Sequence, residues 1–141
     1  MEEASTLTIE VVSPERVLYS GEATQIITRT LGGGEIAFLP GHAPFLGALV
    51  ENHTRVYLTD GSVQDIAVLG GFVQVNGSKV TILSDNAELA VEIDITRAQR
   101  ARERAEETLR QGHDAEAEAA LRRAQARLAT TGHSGVLHHG A

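Results

Sequence analysis

The sequence predicts an α+β chain: an N-terminal antiparallel β-sandwich of eight to ten strands, then a C-terminal antiparallel pair of helices. Three observations predict it. Apolar residues alternate with polar ones before about residue 93 and recur at helical spacing after it. Ten of the fourteen glycines lie before residue 78, and none falls between Ser78 and Gln111. Charge shifts at the same place: residues 1–93 carry twelve acids and four bases, whereas residues 94–131 carry eight arginines and seven acids. The expected division is therefore 1–93 for the sandwich, 94–131 for the helices and 132–141 for a flexible tail.

The strand signals run in order. Leu7, Ile9 and Val11 alternate with Thr8 and Glu10, and Ile26 and Ile27 sit in a run rich in Thr and Gln. Glu35 to Leu39 form a short apolar strand, stopped at Pro40-Gly41 and restarted after Pro44. Proline fixes φ and glycine permits positive φ, so a rigid turn is expected to display His42. Val56 and Leu58 follow, and Asp60-Gly61 and Asn76-Gly77 each separate two apolar runs, the short-range signature of a two-residue hairpin. Val73 and Val75 can then face Val80 and Ile82, with Gln74, Lys79 and Thr81 outside.

The helical signals are equally local. Asp94 is a good N-cap for a helix from Ile95 to about Gln111, burying Ala98, Ala101, Ala105 and Leu109. Gly112 stops it, and Asp114 caps a second helix to about Ala129, burying Ala117, Leu121, Ala124 and Leu128. The short connection makes the two antiparallel. Three leucines at about 1.5–3 kcal/mol each are a thin core for some three dozen ordered residues, so the pairing is expected to be marginal. In the tail, His133, His138 and His139 are read as flexible rather than as a metal site.

Composition excludes several functions. There is no cysteine, hence no disulfide and no thiolate chemistry. A net charge of −7 argues against nucleic acid. No apolar run approaches a membrane span and the start lacks a basic, apolar leader, so a cytoplasmic protein without membrane insertion is expected. His42 has no nucleophile or second His nearby in sequence and reads as a turn or contact residue. No G-x-x-x-x-G-K-[ST] loop is present, so the chain is not expected to hydrolyse ATP.

The string Gly34–Phe45, Gly-Glu-Ile-Ala-Phe-Leu-Pro-Gly-His-Ala-Pro-Phe, resembles the G-E-x-G-x-x-P-G-H-A-P loop of the epsilon subunit of bacterial F-type ATP synthases, with Ala37 at its second glycine. Ile93-Asp94-Ile95-Thr96-Arg97-Ala98 is similar to the I/L-D-x-x-R-A segment opening the family's first C-terminal helix. Leu121 to Leu128 resembles the basic segment closing its second helix.

The resemblance implies a non-catalytic rotor subunit, peripheral on the cytoplasmic face of the bacterial plasma membrane. The sandwich would bind the gamma subunit and rest on the c-ring, with Glu35 and His42 as contact residues. The hairpin would reach the beta and alpha subunits and block hydrolysis. No cofactor is required, but regulatory ATP would bind through Ile93, Asp94, Arg97, Ala98, Arg104, Arg123 and Arg127, with Glu88 as a further polar contact. Spacing agrees: antiparallel pairing brings Arg97 level with about Arg127, and Arg104 with about Arg123. Such guanidiniums either converge on an anion or splay and pair with Glu103, Glu106 or Glu107. Two alternatives are a free-standing enzyme using His42 with Glu35 or Asp85, and an adaptor whose helices zip between copies.

Overall fold

The computed structural model describes residues 5–133. Seven strands come first: β1 (Leu7–Val12), β2 (Val17–Thr30), β3 (Gly34–Phe38), β4 (Phe45–Leu58), β5 (Val63–Asn76), β6 (Lys79–Leu83) and β7 (Ala87–Leu89). A 3₁₀ turn at Ala90–Glu92 leads to helices α1 (Ile95–Arg110) and α2 (Ala115–Thr130). The sheet order is β1-β6-β5-β4-β2-β3, β1 also pairs with β2, and β7 adds to β5. The β1–β2 pairing closes the sheet on itself, giving a flattened barrel with both layers packed on one core.

The strands are fewer and longer than the eight to ten expected, because three of them run for 14 residues and serve both layers. β5 shows how. It pairs with β7 through Ile66–Val68 and with β6 through Phe72–Asn76. Gly70 and Gly71 lie between these stretches with φ of +107° and +116°, so the strand bends there without ending. A Cβ on Gly71 would stand 2.0 Å from the Leu83 carbonyl oxygen, a separation only glycine avoids. One pairing also departs from the all-antiparallel expectation: β1 and β6 run parallel, since closure brings their edges together.

The alternation is as read. Leu7, Ile9, Val11, Ile26, Val56, Val73, Val75, Val80 and Ile82 are all buried, joined by Phe38, Ile66 and Val68. Val73 pairs with Ile82 and Val75 with Val80. Each large side chain so buried contributes about 1.5–3 kcal/mol. The β5–β6 turn is the two-residue loop Gly77-Ser78. The β4–β5 turn is longer, at residues 59–62, because the Asp60 carboxylate accepts from both the N–H and the hydroxyl of Ser62 and Leu58 closes onto the Ser62 carbonyl.

Both helices begin where expected. The Asp94 carboxylate accepts from the Arg97 N–H at 3.0 Å, and that of Asp114 from the Ala117 N–H at 2.9 Å. α1 packs on α2, and α2 lies on β4 and β5. That sandwiched position corrects the one-sided burial pattern. Ala98, Ala105, Ala117, Ala124 and Leu128 are buried, but Ala101, Leu109 and Leu121 are only half-buried. Ala126 and Thr130 are buried as well, because α2 covers a second face against the sheet. His133, read with the tail, closes α2 instead: its N–H donates to the Leu128 carbonyl at 2.6 Å beside Gly132 at φ +81°. His138 and His139 lie outside the described residues.

Candidate functional site

Where α1, α2 and the end of the sheet meet, they enclose a cleft of about 390 Å³. α1 supplies Asp94 (as its cap), Arg97, Ala98, Ala101 and Arg104; α2 supplies Ala120, Arg123 and Arg127; the sheet end supplies Glu88 and Glu92. Every residue assigned to a nucleotide by resemblance lines this cleft except Ile93, which is buried. Antiparallel pairing accounts for the convergence. Arg97 and Arg104 are seven residues apart on one face of α1, and Arg123 and Arg127 are four apart on the facing side of α2. Ala98, Ala101 and Ala120 leave the space between them open.

The charges in the cleft are only partly paired. Arg127 Nε donates to Glu88 Oε1 at 2.8 Å, which ties α2 to β7. Arg123 reaches along its own helix to Glu116 at 3.0 Å. Among the described residues, no ion pair is recorded for Arg97 or Arg104. The arginines therefore do not take Glu103, Glu106 or Glu107 as partners; Glu107 instead pairs with Arg110 one turn on. Hydrogen bonding and charge from Arg110, aided by Gln111, hold the Glu107 carboxyl below its usual range and raise the guanidinium of Arg110. Glu92 was not anticipated as a lining residue. Its signal is its place three residues after Leu89, whose N–H its carboxylate accepts at 3.1 Å. Such a cleft, with two unpaired guanidiniums and two more held by carboxylates, can take several phosphate oxygens at once.

The two residues assigned to partner contact sit elsewhere. The turn after β3 is tight: Gly41 has φ +84° and the His42 N–H donates to the Leu39 carbonyl at 3.1 Å. His42 is half-buried, not fully displayed. Its ring meets Phe38 edge-on at 4.7 Å, and Nδ1 lies 2.7 Å from the Ala43 carbonyl oxygen. Glu35, on β3, accepts from Arg55 at 2.6 Å, so it does not join His42 in a catalytic pair. Asp85 faces a separate acidic cleft with Glu15, Glu88 and Glu92. Ala37 pairs with Ile27 inside the ladder and needs no positive φ, so its departure from glycine is harmless.

Comparison with known proteins agrees along almost the whole described chain. The family of the ATP synthase Delta/Epsilon chain, beta-sandwich domain, matches residues 6–90, and that of its long alpha-helix domain matches residues 92–132. An ATP synthase epsilon chain of Desulfitobacterium hafniense is 45% identical over 128 residues, covering 89% of this chain and 96% of the relative. One from Brevibacillus brevis is 48% identical over 105 residues, 74% of this chain and 79% of the relative. Among solved structures, a chain of the Euglena gracilis mitochondrial ATP synthase (OSCP/F1/c-ring) shares the fold with a TM-score of 0.79. It is 22% identical, over 92% of this chain and 83% of that one. Among the described residues, no helix is long and apolar enough to cross a membrane.

Proposed function

The chain belongs to the ATP synthase delta/epsilon family, and on that premise we propose that its paired helices bind ATP when closed and restrain hydrolysis when open. It serves as a non-catalytic subunit of the central stalk, peripheral at the cytoplasmic face of the membrane. The observation that carries the nucleotide reading is the convergence of Arg97, Arg104, Arg123 and Arg127 on one cleft with Asp94 and Glu88. An anion there engages both helices only while they are paired. Binding to the closed state alone stabilises it by RT ln(1 + [L]/Kd), about 2.7 kcal/mol at a hundredfold excess over Kd. The arginines of an opened hairpin suit an acidic loop on the beta or alpha subunits.

The sandwich offers the contacts to the rest of the rotor. Leu46, Phe72 and Leu83 are exposed on one outer face of β4, β5 and β6, with Phe72 directly opposite Leu83. An apolar row of this kind supports attachment to the gamma subunit. Leu31 and Leu39 are exposed in the loops flanking β3, where with Glu35 and His42 they support contact with the c-ring. A free adaptor is less well supported, since the alanine seam is already engaged between α1 and α2 within one chain.

Calorimetry on the isolated chain tests the nucleotide reading. ATP is expected to bind more tightly than AMP, and Arg123→Ala and Arg127→Ala each weaken it about tenfold, as loss of a charge-assisted hydrogen bond requires. Absence of heat at millimolar ATP overturns the reading. Deleting residues 94–141 is expected to leave assembly intact and raise hydrolysis by the complex; unchanged hydrolysis in a fully assembled complex removes the inhibitory role.

A further inference from the structure

A second cleft, about 360 Å³, lies on the other side of α2, between that helix and the outer face of β2, β3 and β4. It shares no residue with the first. Three guanidiniums line it, from Arg29, Arg55 and Arg122, and two carboxylates, from Glu35 and Glu51. The carboxylates are both engaged: Glu35 with Arg55 at 2.6 Å and Glu51 with Arg122 at 3.2 Å. Glu35 is the direct cross-strand neighbour of Arg29, yet it turns to Arg55. No ion pair is recorded for Arg29 among the described residues, so the cleft holds one surplus positive charge. His53, also in the lining, is held by Asp65 at 2.6 Å. Arg55 Nε is buried and has no hydrogen-bond partner among the described residues. A donor of a charged group left so is unfavourable by more than an ordinary hydrogen bond, and an acceptor carrying negative charge matches it best.

We propose that this cleft is a second anion site, taking a tetrahedral oxyanion of the phosphate class between Arg29, Arg55 and Arg122. The anion bridges sheet and helix: Arg29 and Arg55 belong to β2 and β4, and Arg122 belongs to α2. Its occupancy therefore holds α2 on the sheet independently of whatever binds between α1 and α2. The recognised group is either free phosphate or the end of a small organic phosphate, both of which present the same oxygens to guanidinium forks.

The test titrates the full chain with inorganic phosphate and, separately, with glycerol 3-phosphate at constant ionic strength, followed by calorimetry and thermal denaturation. Saturable binding of either is expected, and the stronger of the two identifies the source. Arg55→Gln and Arg29→Gln each weaken it at least about tenfold. Arg29 is exposed and carries no recorded ion pair, so Arg29→Gln remains a folded test even if Arg55→Gln does not fold. The proposal is overturned if neither anion binds saturably, or if binding survives Arg29→Gln unchanged.

Discussion

The sandwich and the helical hairpin are held together by different means. Inside the sandwich, twelve large apolar side chains are almost wholly shielded from water, Phe38 and four isoleucines among them. In the hairpin the corresponding residues are alanines, and Leu128 is the one leucine fully buried among the described residues of the two helices. The hairpin compensates with polar attachments. Arg122 to Glu51 and Arg127 to Glu88 link α2 to the sheet, both partly exposed and each therefore worth about 1 kcal/mol or less. A body fixed by burial stays rigid; one fixed by small side chains and arginines can leave its seat without unfolding. The difference puts the weaker packing in the hairpin and the stronger in the sandwich, which supports the proposed opening of the hairpin.

The largest expected break in this contrast comes from Gly71→Ala. The added methyl collides with the Leu83 carbonyl, and the positive φ is strained for alanine, so global stability falls by about 3 kcal/mol or more. Thermal denaturation checks it, with sandwich and hairpin signals lost together. Leu128→Ala comes next, at about 2–3 kcal/mol for a core leucine. Here the loss is local: amide exchange quickens in α1 and α2 while β4 and β5 keep their protection. If the sandwich loosens equally, the two regions are one cooperative unit and the contrast fails.

The smallest effect is at Asp60. Its carboxyl is held below the ordinary aspartate value, first by the Ser62 hydroxyl and then by the Ser62 N–H. A group whose folded pKa is depressed adds stability above its unfolded value, and this is lost as pH falls through the folded value. Ser62→Ala is expected to move the Asp60 midpoint back up in an NMR titration. The stability lost is small, because the carboxyl is fully exposed, and it appears near neutral pH rather than in acid. The hairpin signals stay unchanged, because the turn lies in the sandwich.

The candidate cleft was legible to an unusual degree, since its geometry follows from helix phase. Once Asp94 and Asp114 set the helix starts and Gly112 sets the turn, the levels of Arg97, Arg104, Arg123 and Arg127 are nearly determined. Glu92 escaped because it sits on a 3₁₀ turn, where neither period applies. The pairing of arginines escaped too. Glu103 and Glu106 were plausible by spacing, but Glu88 on β7 and Glu116 two turns back on α2 are the carboxylates within reach.

Periodicity and capping are local, so the sequence by itself determined which strand residues face inward, where both helices begin, and that a tight turn carries His42. The tertiary structure decided the rest. Whether β5 ends or bends at Gly70-Gly71 depends on Leu83 lying beside it, and β1 meets β6 in parallel only because the whole sheet curls closed. Ala126 and Thr130 are buried because α2 lands on β4 and β5, which no pattern within α2 specifies. Such outcomes rest on contacts between residues far apart in the chain, and those form only when the separate elements pack together.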